Sequence, residues 1–448
     1  MTPAAWAVQN AGGAGWRVTG KWSGYGVLLL EYPWLFYLPL LFLPNLGLAR
    51  PTAFGRLEIS DFLIWGYLSC LLLARRSRQQ VAADRLAPPM LAFLAWALVS
   101  TLTIPFRYDY TDNRALYFSM LKVAKLTLYG LAGWLTVTRV GGAFVRRLYH
   151  WSLLGVIAML GISLLTLRPE RDPRLAAQAA AEGYKANNAI SVGIAFLACY
   201  LGALWIAGYG DRLWRRAAVA AIALGLTGSF VSSGRGGWVA ALAGVAYIIM
   251  RRRGARTAVV FLVLVALSGV FAYHSFPEFR KDVDRTLSPD PRYLQKYGSG
   301  ILGIDEGGRL GIWRHAALKL VNAPLLGTGF FHRGGPSGLS TTGSHNFFIQ
   351  MFLETGVVGG LLVLAIFRRM WLDAGSREAR IAGLGLPLRA ALVAAVVGGM
   401  GGEYFYGGTV LLALLSVYAP VGGLPRLEAF GWRRAARRQW ADTPRVAG

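Results

Sequence analysis

The sequence predicts an all-α fold, a polytopic membrane bundle of about 12 transmembrane helices with a helical periplasmic loop between spans 9 and 10. Of the 448 residues, 55% are hydrophobic and only 15% are charged. The mean hydropathy of +0.43 is typical of a chain that folds mostly within hydrocarbon.

Twelve apolar segments are long enough to cross about 30 Å of hydrocarbon as helices that rise about 1.5 Å per residue. They are residues 26–49, 58–74, 88–106, 115–138, 148–167, 188–208, 217–233, 236–250, 257–273, 344–366, 386–402 and 405–422. Four parts follow: an N-terminal transmembrane bundle (1–273), a periplasmic helical loop (274–343), the C-terminal spans (344–422) and a basic cytoplasmic tail (423–448).

Arginine clusters at the ends of these segments predict the orientation of the bundle, because they occupy every second connection. The clusters are Arg75, Arg76 and Arg78; Arg146 and Arg147; Arg212, Arg215 and Arg216; Arg251, Arg252 and Arg253; Arg368 and Arg369; and Arg433, Arg434, Arg437 and Arg438. Since basic connections stay in the cytoplasm, both termini are expected there. The net charge of +25 is thus attributed to the arginines that set the membrane orientation, and no nucleic acid partner is expected.

The same orientation sends residues 168–187 and 274–343 to the opposite side, so any chemistry is expected to be extracytoplasmic. Within the larger loop, Phe276–Leu287 and Glu306–Val321 have helical character. An apolar stripe on the second helix is flanked by Arg309 and Arg314 and fits a helix lying against the membrane or the bundle. The members of the stripe are Leu310, Trp313, Ala317, Leu320 and Val321.

A histidine, His345, opens the tenth apolar segment directly after this polar loop. Its position predicts an acid or base group at a membrane mouth. The two cysteines, Cys70 and Cys199, both fall inside predicted spans, so no disulfide framework and no cysteine-based zinc site is expected.

Several short segments resemble the signature region of the bacterial O-antigen ligase and polymerase superfamily. They are Ser232-Ser233-Gly234-Arg235-Gly236, Gly308-Arg309-Leu310-Gly311-Ile312-Trp313, Pro324-Leu325-Leu326-Gly327-Thr328-Gly329, Ser344-His345-Asn346 and Glu354-Thr355-Gly356. The resemblance implies a metal-independent, inverting glycosyltransferase without a cofactor in the bacterial inner membrane. It would move a glycan from undecaprenyl diphosphate to a sugar hydroxyl on the periplasmic side. A ligase with a lipid A-core acceptor is favoured, and a repeat-unit polymerase with another glycan as acceptor is the alternative.

The cationic residues near the outer side suit a diphosphate leaving group, because a guanidinium carries a permanent charge and a bidentate fork. Arg235, Arg309 and Arg314 are therefore the predicted diphosphate ligands. Lys185, beside Asn187 and Asn188, is a weaker substrate-binding candidate. The competing interpretation of Arg235 and Lys185 is an interfacial anchor that reaches the lipid headgroups. For Arg309 and Arg314 the competing interpretation is a solvated helix edge.

His345 is the predicted general base, which would take the proton of the acceptor hydroxyl while nearby arginines keep the imidazole neutral. A helix-start histidine that only binds loop backbone is the alternative. Asn346 is expected to orient substrate or cap the helix. Glu354 should face away from His345 at nine steps of about 100°, and a structural partner on another helix is expected for it.

Two other classes of protein are weighed against this prediction. A metal-dependent enzyme is disfavoured because Asp282-Val283-Asp284 stands among basic residues and the histidines lack zinc-ligand spacing. A flippase of lipid-linked glycans would be expected to hold charges near the midplane, often with discontinuous helices or repeated halves. No such repeat is found in the sequence.

Overall fold

A computed structural model describes residues 30, 32–41, 59–73, 86–107, 113–137, 140, 143–166, 173–231, 235–277, 280, 309–330, 346–401 and 408–424. Within these residues every regular element is a helix. The predicted all-α fold is therefore confirmed.

The helices before the large loop are α1 (Trp34–Leu41), α2 (Ile59–Leu73), α3 (Ala87–Leu102), α4 (Ile104–Arg107), α5 (Asn113–Val137), α6 (Ala143–Thr166), α7 (Pro173–Ile206), α8 (Arg212–Val231), α9 (Arg235–Arg253) and α10 (Ala255–Ser275). Those that follow are α11 (Arg309–Asn322), α12 (Phe347–Ala374), α13 (Arg377–Ile381), α14 (Gly385–Gly401) and α15 (Gly408–Gly422).

Each of the predicted spans overlaps at least one of these helices. In the described part of the chain, 5 helical stretches are long and apolar enough to cross a membrane: Ala87–Phe106, Val145–Leu165, Ala189–Ile206, Ala255–Ser275 and Phe347–Ala374. Shorter apolar helices cover Phe62–Leu73, Gly385–Gly401 and Leu411–Gly422. The chain is thus a polytopic helical membrane protein.

Glycine contacts show the directions of neighbouring helices. A Cβ atom built on Gly237 of α9 would lie 2.6 Å from the Ser191 carbonyl of α7, and one on Gly244 would meet Cys199. From the first contact to the second the residue number increases in both helices, so α7 and α9 are parallel. Gly398, near the end of α14, lies beside the same turn of α7 as Ser191, while α14 begins at the other end. This alternation agrees with the spans predicted from the sequence.

The Gly228→Ala variant is expected to destabilise the bundle, because α6 and α8 touch there through backbone. A Cβ at Gly228 would lie 2.6 Å from the Gly161 carbonyl, whereas one at Gly202 of α7 would meet nothing within 4 Å. We expect Gly228→Ala to lower the thermal midpoint of the detergent-purified protein, since overpacking costs about 1–3 kcal/mol. Gly202→Ala is the matched control and should not lower the midpoint. Equal midpoints would contradict close packing of α6 on α8.

Helix α7 corrects the sequence prediction for residues 168–187, which were expected to form a loop. The helix begins at Pro173, so Lys185 lies well inside it rather than at its start. Proline is favoured in the first helical turn, and the alanine-rich run that follows has high helix propensity. Hydropathy counting misses such a segment because it is too polar to be a span.

Helix α11 confirms the predicted Glu306–Val321 helix but corrects the position of its stripe. Ala316 is buried, and Trp313 and Leu320 are partly buried, whereas Ala317 and Val321 are exposed. The buried face is thus rotated from the predicted one. The other predicted loop helix, Phe276–Leu287, lies mostly outside the described residues.

Candidate active site

The start of α12 is fixed by its cap. The side-chain Oδ1 of Asn346 accepts hydrogen bonds from the backbone N–H groups of Phe348 at 3.0 Å and Ile349 at 3.2 Å. The predicted capping role of Asn346 is therefore confirmed. His345 directly precedes this cap and lies outside the described residues.

Helix α12 is broken at Gly356, where φ is 69° and ψ is −175°. The break folds 347–355, here called the first limb, back against 357–374, the second limb. The rings of Phe348 and Phe367 are 5.6 Å apart, although a straight helix would separate these residues by about 28 Å. The start of α12 therefore lies alongside the second limb.

This fold-back corrects one sequence prediction. Residues 344–366 were expected to cross the membrane as one helix, but only the second limb continues in the direction of a span. Asn346 is 5% exposed and lies about 15 Å of helix before the break. The first limb begins within the bundle because Gly356 turns the chain.

Residues 324–329, which follow α11, pack against the break in α12 and form hydrogen bonds with its backbone. Backbone N–H groups of Thr328 and Gly329 donate to the carbonyls of Leu353 at 2.8 Å and Glu354 at 2.9 Å. In return, the N–H of Val357 donates to the Pro324 carbonyl at 2.8 Å. These bonds replace the helical ones that the break removes, as irregular backbone in a membrane bundle requires.

Two side chains of α3 hold the same junction. The indole Nε1 of Trp96 donates to the Thr355 carbonyl at 2.8 Å. The hydroxyl of Ser100 lies 2.5 Å from the Leu326 carbonyl and 3.0 Å from the Glu354 carbonyl. Ser100 is two residues before the end of α3, so the break lies level with that end of the bundle.

A column of polar side chains follows one face of the first limb. Asn346, Gln350 and Glu354 are four residues apart, a spacing that stacks them along a helix. Gln350 is 2% exposed and Glu354 is fully buried, and the Gln350 amide donates to Glu354 Oε1 at 2.6 Å. Glu354 thus has a partner within its own helix, and the partner expected on another helix stays a prediction.

An apolar cavity adjoins this column. It is lined by apolar side chains and one glycine of α3, α5, α12 and α15 together with Phe330. Phe347 and Met351 of the first limb and Phe367 of the second limb contribute to its wall. The polar column therefore begins at the edge of a space that suits a hydrocarbon chain.

The backbone positions of the predicted cations are described, whereas their side chains lie outside the described residues. Arg235 is the first residue of α9, Arg309 is the first residue of α11, and Arg314 and Lys185 lie within α11 and α7. The structure places α9 against α7 and α11 against α12. The diphosphate-binding and substrate-binding roles of these four residues stay predictions.

The position of Arg235 along the bundle axis can be estimated from a contact at the other end of α9. The rings of Tyr247 and Trp371 are 5.8 Å apart and join α9 to the second limb. Counting back from that contact, Arg235 lies about 18 Å and Gly356 about 22 Å along their helices. Arg235 and the break therefore lie at the same end of the bundle.

Residues 218–364 match the model of a protein family described as O-antigen ligase. This match supports the O-antigen ligase superfamily for the chain. No curated protein matches it. Arg235, Arg309, Arg314, His345 and Asn346 fall inside the O-antigen ligase segment, and Lys185 falls outside it. The match supports glycosyl transfer in biosynthesis of the O-antigen or lipopolysaccharide type.

The structure gives two signature segments of the O-antigen ligase domain a common role. Pro324–Gly329 and Glu354–Gly356 interlock at the break of α12 through the backbone bonds described above. Gly327 has a φ of 66°, and a Cβ on it would overlap the Glu354–Gly356 backbone. Glycine at this position permits the close approach that joins the two segments.

Sequence analysis missed Trp96, Ser100 and Gln350 as parts of this arrangement. Gln350 could have been found, because it precedes Glu354 by four residues in an otherwise apolar segment. Trp96 and Ser100 give no signal in the sequence, since both occur singly in a predicted span and gain their roles only from contacts across more than 200 positions of the chain.

Proposed function

We propose that this O-antigen ligase superfamily member transfers a glycan from undecaprenyl diphosphate to a sugar hydroxyl on the periplasmic side of the inner membrane. The favoured acceptor is lipid A-core, which makes the reaction a ligation. The observation that carries the proposal is the family segment, which contains the broken helix and the predicted base next to the cap of α12.

The apolar cavity supports a lipid-linked donor. Burial of each CH₂ group contributes about 0.8 kcal/mol, and a polyprenyl chain consists almost entirely of such surface. The cavity wall includes Phe347, two residues after His345.

The chemistry needs one base and several fixed cations. The acceptor oxygen attacks the anomeric carbon as His345 takes the hydroxyl proton, and the bond from that carbon to the diphosphate oxygen breaks. The leaving diphosphate keeps the electron pair, and Arg235, Arg309 and Arg314 are proposed to neutralise its charge. A paired carboxylate is unnecessary, because a neutralised diphosphate leaves readily.

The proposal is tested with purified protein in detergent, the lipid-diphosphate donor and lipid A-core. Formation of glycosylated lipid A-core with release of undecaprenyl diphosphate supports ligation. Growth of the lipid-linked glycan instead identifies a polymerase. A transporter is the alternative, because discontinuous helices also occur in that class of protein. Detergent solution has no separate compartments, so a transporter would show no activity in this assay. Failure to transfer glycan to any acceptor would therefore overturn glycosyl transfer.

Arg235→Lys and Arg309→Lys are each expected to impair transfer while the protein remains inserted. A lysine keeps the charge but cannot reproduce the bidentate fork, and a charge-assisted hydrogen bond contributes about 1.5–3 kcal/mol. The expected fall in transfer rate is therefore about tenfold to a hundredfold. Arg216→Lys, on the exposed surface of α8, is the control and should keep the full rate. Full transfer in both test variants would remove these arginines from diphosphate binding.

A further inference from the structure

A second group of charged and aromatic side chains lies at the end of the bundle opposite the break. The guanidinium carbon of Arg389, one turn into α14, lies 5.0 Å from the ring centre of Trp371. Trp371 in turn contacts Tyr247 edge to face at 5.8 Å. Helices α9, α12 and α14 thus each contribute one side chain to a stack of two aromatic rings and one guanidinium.

Arg389 has no anionic partner among the described residues. Its Nε atom is buried and makes no hydrogen bond. The residue as a whole is only partly buried, so an acceptor from outside the protein would have to bind the guanidinium N–H groups that are not buried.

Arg369, at the same end of the bundle, is paired with a carboxylate. Its Nη2 lies 2.6 Å from Asp373 Oδ1 and its Nε lies 3.1 Å from Oδ2. Tyr418 also donates to the same carboxylate at 2.8 Å. The only carboxylate of α12 near this end is thus already bound, and Arg389 is left facing an aromatic ring.

Two exposed arginines border the stack. Arg368 precedes Trp371 by three residues on α12, and Arg251 follows Tyr247 by four on α9, so each shares a helix face with its aromatic neighbour. Arg251 lies one turn nearer its helix end than Tyr247, whereas Arg368 lies one turn farther from its helix end than Trp371. Tryptophan and tyrosine favour the depth at which headgroups meet hydrocarbon.

We propose that Arg389, with Arg251 and Arg368, binds the phosphate of an anionic phospholipid headgroup in the adjoining leaflet. A phosphate oxygen can accept from the guanidinium N–H groups of Arg389 that are not buried, and guanidinium groups bind phosphate in a bidentate manner. The apolar faces of the surrounding helices accommodate the acyl chains. This site is separate from the proposed transfer chemistry, and its test does not depend on that chemistry.

The test is native mass spectrometry of the delipidated, detergent-purified chain with phosphatidylglycerol, with phosphatidylcholine and with inorganic phosphate. We expect phosphatidylglycerol adducts to exceed phosphatidylcholine adducts, and Arg389→Gln to reduce them about fivefold or more, the effect of removing one cation at a lipid surface. Arg216→Gln is the matched control, because Arg216 is an equally charged, exposed residue at the same end of the bundle on α8.

Equal losses in Arg389→Gln and Arg216→Gln would overturn the proposal, since they would indicate a diffuse charge effect. Equal adducts of the two lipids would also overturn it, as would phosphate adducts of the same strength as phosphatidylglycerol adducts. If Arg389→Gln unfolds, Arg368→Gln provides the second measurement, because that side chain is exposed. The unchanged adduct pattern of a folded Arg368→Gln variant would then exclude the site.

Discussion

Gly356→Ala is expected to abolish the native packing of α12 and with it any glycan transfer. The residue has a φ of 69°, which costs an L-residue about 1–2 kcal/mol. In addition, a Cβ at this position would overlap the Leu325 carbonyl and approach the Leu326 nitrogen to 2.8 Å. Both obstacles are backbone atoms of the segment that fills the break, so no side-chain rotation relieves the overlap.

The Gly383→Ala control separates the cost of the positive φ from the cost of the overlap with backbone atoms. Gly383 also has a φ of 69°, but a Cβ there would meet nothing within 4 Å. The control therefore carries the backbone cost alone, and its thermal midpoint in detergent should fall by only a few degrees. Gly356→Ala should lose its cooperative transition or show a much larger fall. Equal shifts would mean that the interlocked segments do not determine the stability of the break.

The break matters for function because it sets the direction of the first limb. Gly356 turns the chain so that Asn346 and Phe347 lie beside the second limb and the apolar cavity. Trp96, Ser100 and the Pro324–Gly329 segment hold this turn by hydrogen bonds to the carbonyls around it. Loss of the turn would move the polar column away from the cavity.

Hydropathy alone predicted the helices of this chain well. Apolar length and arginine clusters locate α3, α6 and α7 because crossing hydrocarbon demands long apolar helices and basic ends. The cap of α12 was also predicted, since an asparagine before an apolar run favours helix initiation. These features depend on residues close together in the chain.

The fold-back of α12 could not be predicted in this way. The segment from Phe347 to Leu364 is continuously apolar apart from Gln350, Glu354 and Thr355, so it appears as one span. Its break depends on hydrogen bonds from Thr328 and Gly329, which are distant in sequence. The Glu354–Gly356 and Pro324–Gly329 signatures marked both partners, but their spacing does not reveal that they touch.

His345→Ala is expected to lower the rate of glycan transfer by about 10²–10⁴-fold, the usual contribution of a positioned general base. The cap itself should survive, because Asn346 Oδ1 provides both hydrogen bonds to the first turn of α12. The variant should therefore keep the thermal midpoint of the unmodified protein. The measurement is initial transfer rate with purified protein, donor and acceptor in detergent.

Added imidazole distinguishes a base from a structural histidine. If His345 removes the acceptor proton, a small base that reaches the space left by the alanine should restore part of the rate in His345→Ala. It should not restore the rate in Gly356→Ala, where the first limb is misplaced. Normal transfer by a folded His345→Ala variant would exclude the base role. The acceptor proton would then have to pass to another base or to the leaving diphosphate, and the arginines would remain the groups proposed to neutralise that diphosphate.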